Sequence, residues 1–394
     1  MSLARLVLGL TACAASLVCA APAQATYDSH LNLPYGLGGT TALINRLDLY
    51  TPSGPAPDEG RPLVVYVHGG GWMRGDKSNR IADKASLFTG LDYVFASVNY
   101  RLSPDPPNSS DPDRVRFPAQ PNDVGEALGW LDRNAADYGA DPERMLLIGH
   151  SAGAQIISLV ATDPTYVAAF GVEPWQIAGA VSLDTDAFDI AEQATQTDNP
   201  QNRALIWNAF ATPAENAASP VYNRASALAA AGPKDPEMLL VTGNNPRRIA
   251  ANRAMAIALG QDPADVLRLN YSHEQINTAL GSPDDTAHET YDVTTFLERA
   301  LAGSVPPRVK LTGTPPKRVH SGKRTAKVRF RFTAKPNGSA DSFECRLDGE
   351  RWDRCKSPIR LRAECGRHEF RVRALSGRGQ PGEAKSFSFR VVRR

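Results

Sequence analysis

Between Leu43 and Leu301, short apolar runs alternate with segments whose apolar residues recur every three to four positions. That alternation predicts a mostly parallel sheet wrapped by helices on both faces, an α/β architecture. Leu63–Val67, Tyr93–Val98 and Met145–Ile148 read as buried strands, as do Ile177–Leu183, Met238–Thr242 and Val266–Asn270. Val124, Ala127, Leu128 and Leu131 fall at helical spacing and predict a helix over Asp123–Asn134. Ala152–Val160 carries the same period, and Tyr291–Ala302 closes the unit with another helix.

Beyond that helix the period changes to two. Ala326, Val328, Phe330 and Phe332 alternate with Lys327, Arg329 and Arg331. Phe370, Val372 and Ala374 alternate with Arg371 and Arg373, and Phe387, Phe389 and Val391 with Ser388 and Arg390. Half-buried antiparallel strands of this kind predict a small all-β sandwich over 319–394. Val305-Pro306-Pro307 and Pro315-Pro316 make 304–318 a semi-stiff Pro-rich linker before it. The cations of these strands face away from the core. If their strands are neighbours, they build one positive sheet face.

The N-terminus sits outside this pattern. Arg5 precedes the apolar run Leu6–Leu10, and the segment ends in the small-x-small triplet Ala23-Gln24-Ala25. A signal peptide over 1–25 follows, with Thr26 as the mature start and 26–303 as the α/β unit. Leu10-Thr11-Ala12-Cys13 has the shape of a lipoprotein box, but the apolar run before it is short, so cleavage and export are expected over lipidation. As a membrane anchor this stretch is short and broken by polar residues, and no other segment approaches membrane-spanning length. Export gives the cysteines meaning. Cys13 and Cys19 leave with the leader, so Cys345, Cys355 and Cys365 allow one disulfide and leave one odd thiol.

Net charge of +2 hides an asymmetry. Residues 304–394 hold 24 basic and 8 acidic residues, a net of +16, against 20 and 34, or −14, before them. Such opposition marks two units with different partners.

The chemistry lies in two short motifs. Gly149-His150-Ser151-Ala152-Gly153 directly follows a strand and opens a helix, the turn that lifts a serine hydroxyl above a sheet edge. About 80 residues earlier, His68-Gly69-Gly70-Gly71-Trp72 also follows a strand. The amides of Gly70, Gly71 and Ala152 are the expected oxyanion hole, because glycine lets backbone approach a substrate without a Cβ in the way. A serine needs a histidine base. His30 precedes the fold, His320 and His368 fall in the β-module, and His68 and His150 belong to the motifs. His273, just past the last strand, is preferred over His288, which sits at the start of the closing helix. The acid is the open place. The loop Thr242–Arg248 holds no carboxylate, which leaves Asp184, at the end of the preceding strand, ahead of Asp186, Asp189 or Asn245. Trp72 and Tyr100 are candidates for the pocket wall. No His/Cys/Asp cluster has ligand spacing, so no metal or organic cofactor is expected.

With Arg74-Gly75-Asp76-Lys77, Asn99-Tyr100-Arg101-Leu102, Asp123, Ala140-Asp141-Pro142 and Ala218-Ser219-Pro220, these motifs resemble the exported esterase-lipase and arylformamidase-like α/β-hydrolases over Leu43–Ala302. The resemblance implies hydrolysis of small carboxylic esters, acylated carbohydrates among them, through a serine acyl-enzyme. Asp184 is similarly placed to the displaced acid of pancreatic-type lipases. An unfilled acid position leaves a catalytically weakened binding protein as an alternative, beside an amidase or peptidase. The tail, with Ser342–Gly349, Trp352 and Gly366–Ala374, resembles bacterial immunoglobulin-like or fibronectin-type modules, which implies a Cys345–Cys355 pair. Its basic face suggests an anionic cell-envelope polymer as partner. Nucleic acid is not expected, because those faces lack stacking aromatics.

Overall fold

Eight strands form the principal sheet: β1 (Tyr27–Pro34), β2 (Arg46–Pro52), β3 (Arg61–Val67), β4 (Val94–Val98), β5 (Ala140–His150), β6 (Ile177–Leu183), β7 (Glu237–Thr242) and β8 (Leu267–Arg268). Their spatial order is β1-β2-β4-β3-β5-β6-β7-β8, and from β4 onward neighbours run parallel. The computed structural model describes residues 27–36, 44–196, 199–335 and 340–393. The expected leader, 1–25, lies outside the described residues, as does Thr26.

Alternation along the strands builds two cores. Leu63, Val65 and Val67 of β3 face Val124, Leu128 and Leu131 of the helix Ala119–Asn134 and Ile156 and Leu159 of the helix Ala152–Thr162. Val64 and Tyr66 face the other way, toward Phe88 of the helix Ala82–Gly90 and Phe296 and Leu297 of the helix Glu289–Gly303. A strand buried on both faces reads as a continuous apolar run, which is how these strands announce themselves in the sequence. His30 lies inside the sheet, on β1, rather than before the fold. Strand β1 is a half-exposed edge with no clean apolar alternation, so its sequence gives no strand signal.

The C-terminal region packs a five-stranded sheet on a three-stranded one. The first runs β10 (Arg318–Ser321), β16 (Lys385–Arg393), β15 (Gly366–Leu375), β12 (Ser342–Leu347), β13 (Asp353–Cys355). The second runs β14 (Ile359–Glu364), β11 (Thr325–Lys335), β9 (Arg308–Gly313). Between them lie Val328, Phe330, Phe332, Phe370, Val372 and Phe389, with Phe330 stacked on Phe370 at 3.9 Å. Cys345 and Cys355 are disulfide-bonded, and Cys365 is free and exposed.

Two expectations change here. The segment 304–318 is not a linker throughout, because β9 within it pairs with β11, burying Val309 between exposed Arg308 and Lys310. Lys327, Arg329 and Arg331 also do not share a face with Arg371 and Arg373, since β11 and β15 belong to opposite sheets. Arg373 instead pairs with Glu344 and covers the Trp352 ring.

Arg378, in the loop between β15 and β16, docks the module on the α/β unit. Its guanidinium donates to the carbonyls of Pro174, Ile177 and Ala178, at the start of β6. Burial pushes its pKa down. The module therefore sits at the opposite end of β6 from Asp184. Hydrogen bonds from a charged group contribute about 1.5–3 kcal/mol, so Arg378→Met is expected to undock the module. Small-angle scattering should then report a larger radius of gyration; an unchanged radius would contradict the clamp.

Candidate active site

Strand β5 delivers Ser151 on a turn that ordinary backbone avoids. Ser151 has φ 55° and ψ −116°, and its amide donates to the Leu183 carbonyl at 2.9 Å. Strain of this kind persists only where the surroundings over-determine it. They do so here through close packing: a Cβ on Gly153 would stand 2.1 Å from the Val67 carbonyl oxygen. The glycine loop after β3 passes beside the same turn, with Gly69 close enough that a Cβ there would come 3.1 Å from the Ser151 Cβ. Gly70 and Gly71 both have positive φ, and the Gly70 carbonyl accepts from Met73 and Arg74. Among the described residues, neither the Gly70 nor the Gly71 amide donates a hydrogen bond. Ala152 is the first residue of its helix, where amides have no partner within the helix.

Buried polar contacts fix this loop from below. Lys77 pairs with Asp48 at 2.9 Å, and both side chains are buried. The Lys77 amide donates to Asn99 Oδ1, and Asn99 Nδ2 donates to Asp76. Burial alone would raise the Asp76 pKa, but bonds from Ser78 and Asn99 and the nearby Lys77 charge hold it down to about 2. Tyr100 does not line the cleft: it is fully buried, stacks on His68 at 4.5 Å, and donates to the His68 carbonyl. Trp72 does line it, anchored by a bond from its Nε1 to Gln155 Oε1 at 3.0 Å.

His273 opens the helix His273–Ala279, whose N-cap Ser272 forms a capping box with Gln275. Ser151 Oγ donates to His273 Nε2 at 3.0 Å, and His273 Nδ1 donates to Asp184 Oδ2 at 2.6 Å. His288 instead caps the last helix in a left-handed conformation. His150 packs on the His273 ring at 4.6 Å and donates from Nε2 to the His273 carbonyl. Burial, with the neighbouring His273, lowers its pKa to about 3, so it stays neutral and adds no charge behind the imidazole.

Asp184 is 1% exposed and accepts four hydrogen bonds. Oδ1 takes Thr242 Oγ1 and the Gly243 amide; Oδ2 takes His273 and the Arg248 guanidinium, the latter at 2.6 Å. Burial would raise this carboxyl, but the bonds from His273 and Gly243 and the Arg248 charge hold it down to about 2. The loop after β7, empty of carboxylates, thus supplies the donors that keep the acid of the neighbouring strand ionised. Asn245 does not reach His273. Its side chain caps the helix Pro246–Ala258, whose first turn carries Arg248. Asp186 faces Arg247 at 3.5 Å, and Asp189 accepts the Glu192 amide. Sequence reasoning missed Arg248. A cation in the first turn of a helix opposes the dipole and asks for an anionic partner, which was the available signal.

These groups line one cleft of about 580 Å³, with apolar Trp72, Leu205 and Ile206 facing polar Asn79, Gln193 and Asn202.

A family profile described as BD-FAE matches residues 47–258, just over half of the chain. The chain belongs to the BD-FAE family. Among its relatives, Esterase LipQ of Mycobacterium tuberculosis is 34% identical over 130 residues, 33% of this chain and 28% of that protein. Carboxylesterase NlhH of the same species is 36% identical over 126 residues, 32% of this chain and 35% of that protein. The chain thus spans about a third of the length of these curated relatives. A truncated carbohydrate esterase from gut microbiota superposes with a TM-score of 0.54 at 15% identity, covering 72% of this chain and 99% of that one. Esterase B of Lactobacillus rhamnosis superposes at 0.52 and 19% identity, covering 70% and 87%. The fold of the BD-FAE region and its helices is that of the α/β-hydrolases; the matched span holds Gly70, Gly71, Ser151, Asp184 and Arg248, and His273 lies beyond it.

Because its pKa is depressed, ionised Asp184 stabilises the fold above the ordinary carboxylate pKa, and the contribution is lost as pH falls toward about 2. Arg248→Met removes one cause of that depression. Its acid-unfolding midpoint is expected at higher pH than that of the parent; an unchanged midpoint would show that Arg248 does not hold the carboxylate.

Proposed function

We propose that this BD-FAE member is a serine hydrolase of small carboxylic esters that works through an acyl-enzyme. The observation that carries this reading is the unbroken relay Ser151 Oγ–His273–Asp184, at 3.0 and 2.6 Å, opening on the cleft. In the proposed sequence Ser151 attacks the acyl carbon while His273 Nε2 takes its proton. Asp184 holds Nδ1–H and stabilises the imidazolium. The amides of Gly70, Gly71 and Ala152 receive the oxyanion. His273 then protonates the leaving alcohol, and water, activated by the same imidazole, releases the acid.

The acid at Asp184 removes the reason to favour a catalytically weakened binding protein. The mixed apolar and polar cleft suits an acyl group small enough to sit by Leu205 and an alcohol rich in hydroxyls, so acylated carbohydrate is the favoured substrate class. The Cys345–Cys355 disulfide fits an oxidising compartment and supports a role outside the cytoplasm. Among the described residues no helix is long and apolar enough to cross a membrane.

A fluorophosphonate probe is expected to label Ser151 in the parent and to leave His273→Ala unlabelled. With p-nitrophenyl acetate, Ser151→Ala and His273→Ala should each lose at least about 10⁴-fold in kcat/KM. Folded protein that resists the probe, or a His273→Ala variant labelled at the parent rate, would contradict the mechanism. Acetyl to decanoyl p-nitrophenyl esters, beside an aryl formamide, then rank the acyl groups: short esters are expected to lead.

A further inference from the structure

We propose that the outer face of the β14-β11-β9 sheet is a docking surface for a carboxylated polysaccharide, a linear uronate chain. Lys327, Arg329 and Arg331 of β11, Arg360 and Arg362 of β14, and Lys310 of β9 are all exposed on that face. Arg329 stands directly opposite Arg360, and Lys327 opposite Arg362. Like charges directly opposite one another destabilise a sheet. Among the described residues none of the six has an ion-pair partner. The same module pairs its cations elsewhere, as Arg373 does with Glu344 at 2.7 Å and Lys385 with Glu383 at 2.9 Å. Local order that works against stability without an internal compensation marks a functional surface. Carboxylates supplied by a partner complete it.

The spacing defines the partner. Outward side chains repeat about every 7 Å along a strand and about every 5 Å across strands, which gives a flat lattice of cations. Four of the six are arginines, whose planar forks match carboxylates bidentately. The aromatic residues of β11, Phe330 and Phe332, are buried in the core, so the face offers no ring for nucleobases to stack on. Arg378 docks the module at the far end of β6 from Asp184, so a polymer held here leaves the cleft open. Retention of this kind raises the local concentration of substrate groups on the same chain. The choice of a sugar polymer rests on the ester-hydrolase reading above; the binding test does not use Ser151, so the two can fail separately.

Full-length protein is tested for co-sedimentation with polygalacturonate, with the same polymer after reduction of its carboxyls to alcohols, and with double-stranded DNA. Polygalacturonate is expected to bind, the reduced polymer to bind at least about tenfold more weakly, and retention to fall steeply between about 50 and 500 mM salt, as the Debye length shrinks below its value of about 10 Å at 0.1 M. The variant Arg329→Gln/Arg331→Gln/Arg360→Gln/Arg362→Gln should lose binding at least about tenfold while hydrolysing p-nitrophenyl acetate at the parent rate. Equal binding of the charged and reduced polymers overturns the proposal without any variant. So does parent-like retention by the quadruple variant, binding of neither polymer, or DNA bound as tightly as polygalacturonate.

Discussion

The site is organised around one buried carboxylate. Asp184 has almost no contact with solvent, yet it stays ionised because four donors from three elements converge on it. Burying an unpaired charge would cost several kcal/mol, so each donor is as necessary to the fold as to the imidazole it orients. The end of β7 gives Thr242 and Gly243, the next helix gives Arg248, and the last helix-opening turn gives His273. The registers of β6, β7 and β8 are tied together at this point, just where the parallel sheet presents its carboxyl ends. A shift of any one strand would strand a charge.

Much of this was legible in the chain. The buried strands announced themselves as apolar runs, and Ile177–Leu183 is found with the expected limits because nothing polar interrupts it. The Ser151 turn and the Gly69–Gly71 loop were legible because close approach of backbone leaves glycine as the residue that fits. Strand β1 was not, since an exposed edge with few apolar residues resembles a loop. Nor was β9, hidden beside prolines that suggest a linker. Arg248 and the true part played by Asn245 were hidden for a different reason. Both depend on which side of a helix cap faces a neighbouring strand, and sequence order does not carry that distance.

The opposed charges of the two regions also take a more specific form than simple attraction. One described contact between them is a guanidinium laid on three carbonyls, which is directional and fixes orientation, with the opposite charge of Asp235 nearby. The excess cations of the module are spent elsewhere, on a sheet face turned outward. The Ser151–His273–Asp184 relay gathers at one end of the principal sheet and the module docks at the other.

Because everything at the site converges on Asp184, its substitution is the most direct measurement. Asp184→Asn keeps the size and one acceptor but removes the charge that holds His273 Nδ1–H and stabilises the imidazolium. A fall in kcat/KM for p-nitrophenyl acetate of about 10³–10⁴-fold is expected in folded protein, with Asn245→Ala, Asp186→Asn and Asp189→Asn within about tenfold of the parent. An Asp184→Asn enzyme that retains most of its activity, or a larger loss at Asn245, Asp186 or Asp189, would contradict it.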